Sequence, residues 1–141
     1  MKDFALHPQL AADTVFVADW ALSRVLLMDD ARYPWLVLVP RVDGAVEMFE
    51  LDAAQYSLLT EEIARAASGL KAFTGCVKIN IAALGNLVPQ LHIHIVARNP
   101  GDAAWPGTVW GKGAALRHEA QALQALTARL RDALRRAAGP G

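Results

Sequence analysis

The sequence holds a single cysteine, Cys76. It can form no internal disulfide, and no Cys-x-x-Cys pair exists to hold zinc. Long apolar runs are missing as well, and none approaches the ~18–20 residues of a membrane span. The opening MKDFALHPQL carries Asp3 and His7 where a secretory signal needs an unbroken apolar stretch. An excess of one charge is also lacking. Lys plus Arg and Asp plus Glu are 14 each, giving a formal net charge of zero. A global basic field for nucleic acid is thereby excluded. We expect a soluble, cytoplasmic protein with no membrane partner and no nucleic-acid partner.

What is present suits a globular fold. Hydrophobic types make up 54% and charged types 20%, too apolar for disorder. A chain of 141 residues reads as one domain over 1–141, able to bury about two-thirds of its unfolded surface. Its charge is uneven. Residues 1–111 carry 8 basic and 12 acidic side chains, and residues 112–141 carry 6 basic and 2 acidic. We read the basic end, with Arg129, Arg131, Arg135 and Arg136, as the solvated face of a helix; an RNA contact is the competing reading.

Thr14 to Trp20 and Ser23 to Met28 are β-rich runs three residues apart, a hairpin candidate. Residues 29–34 read as a loop, and Trp35 to Val39 as a central strand that Pro40 ends. Asp52 caps a helix, with Gln55 completing a capping box, and Gly75 stops it after about Phe73. Val77 to Ala82 and Gln90 to Arg98 alternate as strands, with Gly85-Asn86 turning between them. From about 114 to 138, Leu116, Leu123, Leu126, Leu130 and Leu134 stripe a long amphipathic helix. Strands, helix, strands, helix is an α+β order. The predicted fold is an antiparallel sheet of about five strands with one packed helix and a C-terminal helix, its core at about 14–98.

The informative run is Gln90-Leu91-His92-Ile93-His94-Ile95-Val96. Alternation puts Gln90, His92, His94 and Val96 on one face of a strand, and Leu91, Ile93 and Ile95 on the other. Two neighbouring imidazoles can serve as nucleophile and proton donor, or ligate a metal. A zinc reading needs a third ligand, and His7 and His118 are remote in sequence, so no metal is expected. If residues 77–82 pair with this strand, Val77, Ile79 and Ile81 merge with its apolar face and Asn80 joins the histidine face. Gly85 then lets loop amides approach an anion. Asn80, the loop, His92 and His94 together make a phosphate-sized set of donors.

This arrangement resembles the histidine triad (HIT) superfamily of nucleotide hydrolases and transferases, whose hallmark is His-φ-His-φ-His-φ-φ with φ apolar. The second and third histidines match as His92 and His94; Gln90 replaces the first. The resemblance spans Thr14 to Arg98 and includes Asp29, Pro40, Asn80 and Gly85 in order. It implies that His92 is the nucleophile and His94 a phosphate contact. It implies Asp29 at the ribose, and Asn80, Gly85, Asn86 and Gln90 near the phosphate. Leu87 stands where many members carry a hydroxyl that helps the leaving group.

The implied reaction is attack on the α-phosphate of a purine nucleotide conjugate through a covalent nucleotidyl-histidine. Dinucleoside polyphosphates, phosphoramidates and nucleotidylated sugars all present that phosphate. No cofactor is required, and a homodimer is expected. The alternative is a non-catalytic nucleotide-binding module. Leu10 and Leu27 are candidates for the base pocket. Arg98 is read either as a contact to a distal phosphate or as an exposed strand end. Trp105 and Trp110 are read as a surface-pinned loop or dimer contact rather than a base wall, and Cys76 as a small buried residue.

Overall fold

The computed structural model describes residues 4–137. Its elements are α1 (Pro8–Asp13), β1 (Thr14–Asp19), β2 (Ser23–Met28), β3 (Trp35–Pro40), a 3-10 turn (Met48–Glu50), α2 (Ala53–Thr74), β4 (Lys78–Ala82), β5 (Ile93–Arg98) and α3 (Ala120–Arg136). The five strands form one antiparallel sheet in the order β1-β2-β3-β5-β4. This is the α+β architecture expected from the sequence.

Local chemistry sets several boundaries. Asp52 and Gln55 exchange the two bonds of a capping box at the start of α2. Gly75 ends that helix in the left-handed region at φ 68°, where a side chain would be strained. Glu62 of α2 is buried and accepts from the amides of Leu22 and Ser23, closing the turn between β1 and β2.

The sheet has two covered faces. Val25, Leu27, Leu36, Leu38, Ile93 and Ile95 pack under α2 and α3. Leu26, Trp35, Val37, Val39 and Val96 face the other way, with Leu10 of α1 and Val109 from the loop after β5. The candidate site lies on this second side.

Four expectations need correction. Pro40 is the last residue of β3, paired with Ser23, because its missing N–H is not needed there. β5 begins at Ile93 rather than Gln90, since the Leu91 amide leaves the sheet and donates to the Ala45 carbonyl. Val77 and Ile81 are exposed rather than merged into the apolar face, because β4 is an edge strand. The last helix starts at Ala120, capped by Glu119, so Leu116 is outside it and exposed. Position 138, the expected end of that helix, lies outside the described residues.

The basic face of α3 is partly spent on the protein itself. Arg131 donates to the Val17 carbonyl, Arg129 lies over Phe73, and Arg136 pairs with Asp132. No described helix is long and apolar enough to cross a membrane.

Candidate active site

His94 is the second residue of β5, opposite Val37 of β3 and Ala82 of β4. His92 lies just ahead of the strand. Both are buried, and their rings are 4.8 Å apart between centroids, edge to face. Their partners fix two different tautomers. The Nδ1 of His92 lies 2.7 Å from the carbonyl oxygen of Gln90. A carbonyl only accepts, so Nδ1 carries the proton and the neutral ring keeps a lone pair on Nε2. The indole Nε1 of Trp35 lies 3.1 Å from Nδ1 of His94. An indole only donates, so Nδ1 of His94 is the acceptor and its proton is on Nε2.

Trp35 and Trp110 meet His94 edge-on, at centroid distances of 5.6 and 5.4 Å. They take the ring out of water. Burial, with the neighbouring His92 as a smaller cause, pulls the His94 pKa down to about 4. His94 is thus a neutral donor at physiological pH.

The two rings open into a cleft of about 780 Å³. One wall is the loop Leu84–Val88. Gly85 turns there at φ 76°, which a side chain would strain. Among the described residues, no backbone carbonyl takes the amides of Gly85, Asn86 or Leu87. His7, Leu10, Met28 and Asp29 also line the cleft. Residues 109–117 roof the cleft, with Trp110 inside it.

That roof is held by carboxylates. Asp29 accepts from the backbone amide and Nδ1 of His118, both at 2.9 Å, and from Arg117 at 3.5 Å. Burial works to raise the Asp29 pKa, but these bonds from His118 and Arg117 outweigh it and hold it below the usual value. Asp30 is buried, pairs in a fork with Arg32 and accepts weakly from the Leu116 amide. Arg32 reaches on to the carbonyl of Lys112.

Arg98 anchors the start of the same loop. It is 1% exposed. Its guanidinium forks onto Asp102 at 2.8 and 2.9 Å, and also donates to Asn80 Oδ1 and the Gly107 carbonyl. Side-chain bonds from Arg98 pull the Asp102 pKa down to about 2.

The structure brings His92, His94, Asp29, Gly85, Asn86 and Leu10 together around the cleft. Three expected residues are elsewhere. Asn80 shares the histidine face, opposite Val96, but its side-chain oxygen is bound by Arg98 and it does not line the cleft. Leu27 is buried on the far side of the sheet, because the strand's alternation sends Leu26 and Met28 toward the site. The Gln90 side chain turns to the N-terminal segment: its Oε1 accepts from the His7 amide, and its Nε2 donates to the Ala5 carbonyl, each at 2.9 Å.

Arg98 is neither an exposed strand end nor a free phosphate ligand. Trp110 is a cleft wall, the reading the sequence disfavoured, whereas Trp105 packs over Arg98. Cys76 is buried, as expected. Sequence reasoning missed Trp35 and His7. Trp35 was findable, because the alternation of β3 puts it on the face of Val37 and so of His94. No pattern points to His7, whose place depends on a contact 83 residues away.

A family model for the HIT domain matches residues 9–101, and the chain belongs to that family. The chain is similar to histidine triad proteins of known structure. One from Bradyrhizobium japonicum is 51% identical, with a TM-score of 0.88 over 96% of this chain and 98% of that one. One from Sinorhizobium meliloti is 43% identical, with a TM-score of 0.89 over 92% and 96%. One from Marinobacter aquaeolei is 43% identical, with a TM-score of 0.92 over 96% and 98%. No curated protein matches the sequence.

Proposed function

We propose that the protein is a nucleotide-binding phosphohydrolase or nucleotidyl transferase of the histidine triad type, acting on a purine nucleotide conjugate. The observation that carries this is the opposed tautomers of two touching imidazoles. His92 has a lone pair on Nε2 and His94 has a hydrogen on Nε2.

The Nε2 lone pair of His92 attacks the α-phosphorus. The bond to the leaving group breaks, the leaving group takes the electron pair, and a covalent nucleotidyl-histidine forms. Nδ1–H stays on the Gln90 carbonyl and stabilises the positive ring. The Nε2–H of His94 and the amides of Gly85, Asn86 and Leu87 hold the phosphate oxygens as charge shifts onto them. Water then attacks the same phosphorus, its proton passes to solvent, and His92 regains its lone pair. The scheme uses no cofactor.

Leu10, Met28 and Val109 offer the base an apolar wall. Asp29 retains lone-pair capacity for a ribose hydroxyl beside its bonds to the roof. Asn80 acts at one remove, by holding Arg98. The proposal places the protein in the cytoplasm as a homodimer. The open edge of β4 supports the dimer, since Val77 and Ile81 lie exposed there. Sedimentation at micromolar concentration should give about twice the 15.2 kDa chain mass; a species of 15.2 kDa alone removes the dimer.

The test is turnover of a panel: a dinucleoside polyphosphate, a nucleoside phosphoramidate and a nucleotidylated sugar. Wild type should release nucleoside monophosphate from at least one. His92→Ala should lose about 10³-fold or more in kcat while holding AMP within about threefold of wild type. AMP binding without turnover of any conjugate would mark a binding module instead.

A further inference from the structure

We propose that His7 is a substrate-contacting residue of this site, whose Nε2–H binds the phosphate oxygens of the leaving group, and that Gln90 is the residue that holds it there. The inference rests on the proposed function and names the class of leaving group: a phosphoanhydride chain rather than an amine.

Four observations meet at this residue. His7 lines the cleft that holds His92 and His94. Its backbone is clamped by Gln90, whose side-chain amide bonds Ala5 and His7 as a neighbouring strand would. The clamp joins residues 83 apart in sequence, so the N-terminal segment is built into the site. The ring is also set. Nδ1 of His7 accepts from the Gln9 amide at 3.0 Å, so the neutral ring carries its hydrogen on Nε2. Among the described residues, no group takes that Nε2–H.

Gln90 therefore places two imidazoles at once. Its carbonyl leaves His92 with a lone pair on Nε2, and its side chain holds His7 with a hydrogen on Nε2. One ring is set to attack and the other to donate.

Among the described residues of the lining, no hydroxyl and no free guanidinium takes this task. Leu87, 94% exposed, offers no hydroxyl at the loop. The two arginines of the lining are engaged, Arg32 by Asp30 and Lys112, Arg117 by Asp13 and Asp29. A neutral Nε2–H can donate a hydrogen bond but does not give up its proton. An amine leaving group needs a proton, whereas a departing phosphate needs only charge stabilisation. In the transfer step the N–P bond to His92 forms and the bond from phosphorus to the bridging oxygen breaks. The electron pair goes to the departing phosphate, and no proton moves. The hydrogen bond from His7 strengthens as that oxygen gains charge.

The test uses His7→Asn, which keeps a capping oxygen for the Gln9 amide and removes the ring Nε2–H. The same measurements are made on Gln90→Leu, which releases the segment. Two substrates are compared: a dinucleoside polyphosphate, and the p-nitrophenyl ester of AMP, whose leaving group needs little help. A methylene-bridged α,β nucleoside triphosphate analogue and AMP are titrated by calorimetry.

His7→Asn should lose about 30-fold in kcat on the polyphosphate, but less than about threefold on the aryl ester. It should bind the bridged analogue about tenfold more weakly and AMP as wild type does. Gln90→Leu should lose in the same direction. Equal losses on both substrates, or an unchanged affinity for the analogue, would overturn the role of His7. The titrations decide the point even without turnover. A wild type that binds neither nucleotide would overturn the proposed function itself, and His7's role with it.

Discussion

The indole N–H of Trp35 donates to Nδ1 of His94 across the β3–β5 pair, at 3.1 Å. That bond leaves His94 only Nε2 as the place for its proton. Replacing the indole by phenyl keeps the apolar contact and removes the donor. We predict that Trp35→Phe lowers kcat about tenfold and stability by about 1–2 kcal/mol. Nitrogen NMR of the ring should show His94 as the Nε2–H tautomer in wild type and a mixture in the variant. An Nδ1–H tautomer in wild type would contradict the assignment.

Acid should act on the same ring. The folded-state pKa of His94 is lowered from 6.5 to about 4. The unfolded chain therefore binds a proton that the folded chain refuses between those values. Stability rises with pH across this window and is lost as pH falls from 6.5 toward 4, with no further loss from this group below it. The size is about 3 kcal/mol. Urea unfolding of wild type and His94→Asn at pH 7 and pH 4 isolates it. The gap between the two proteins should narrow at pH 4; a constant gap would refute the assignment.

The faces of β3 and β5 were legible because alternation alone decides them. Ile93 and Ile95 could only go inward, so His92 and His94 had to face the other side. The capping box at Asp52 and the stop at Gly75 are local chemistry and were equally plain. Leu27 was misplaced because Leu26 and Leu27 look alike until a partner strand fixes which one faces the helices. Asn80 was put on the right face, but Arg98 shares that face and takes the Asn80 oxygen. The roof was not legible, since its end is fastened at Leu116, Arg117 and His118 by Asp29 and Asp30, more than 80 positions away. With nothing local to break the apolar spacing, that segment read as the start of the last helix.

Loss of Arg98 should be costly to stability. Its removal leaves the half-buried Asp102 without its partner and frees the loop that carries Trp110. Arg98→Ala is predicted to cost about 3–5 kcal/mol. Arg98→Lys should recover little, because an ammonium cannot fork onto Asp102 while also reaching Asn80 and Gly107. Chemical denaturation measures both; near-full stability in the lysine variant would contradict this.

Asp29 holds the roof through His118 and Arg117. Asp29→Ala should loosen residues 112–118 while sparing the sheet. Hydrogen exchange should show the His118 amide losing protection by about tenfold or more, with β3 and β5 amides unchanged. Uniform loss across the sheet would mean that the carboxylate supports the whole fold and not the roof.

The central claim is that Nε2 of His92 becomes covalently bonded to the α-phosphorus. Rapid quenching in base, with a conjugate labelled at that phosphate, tests it most directly. Wild type should yield an acid-labile, base-stable phosphoramidate that peptide mapping places on His92, and His92→Ala should yield none. Label on another residue, or full turnover by the alanine variant, would contradict the account.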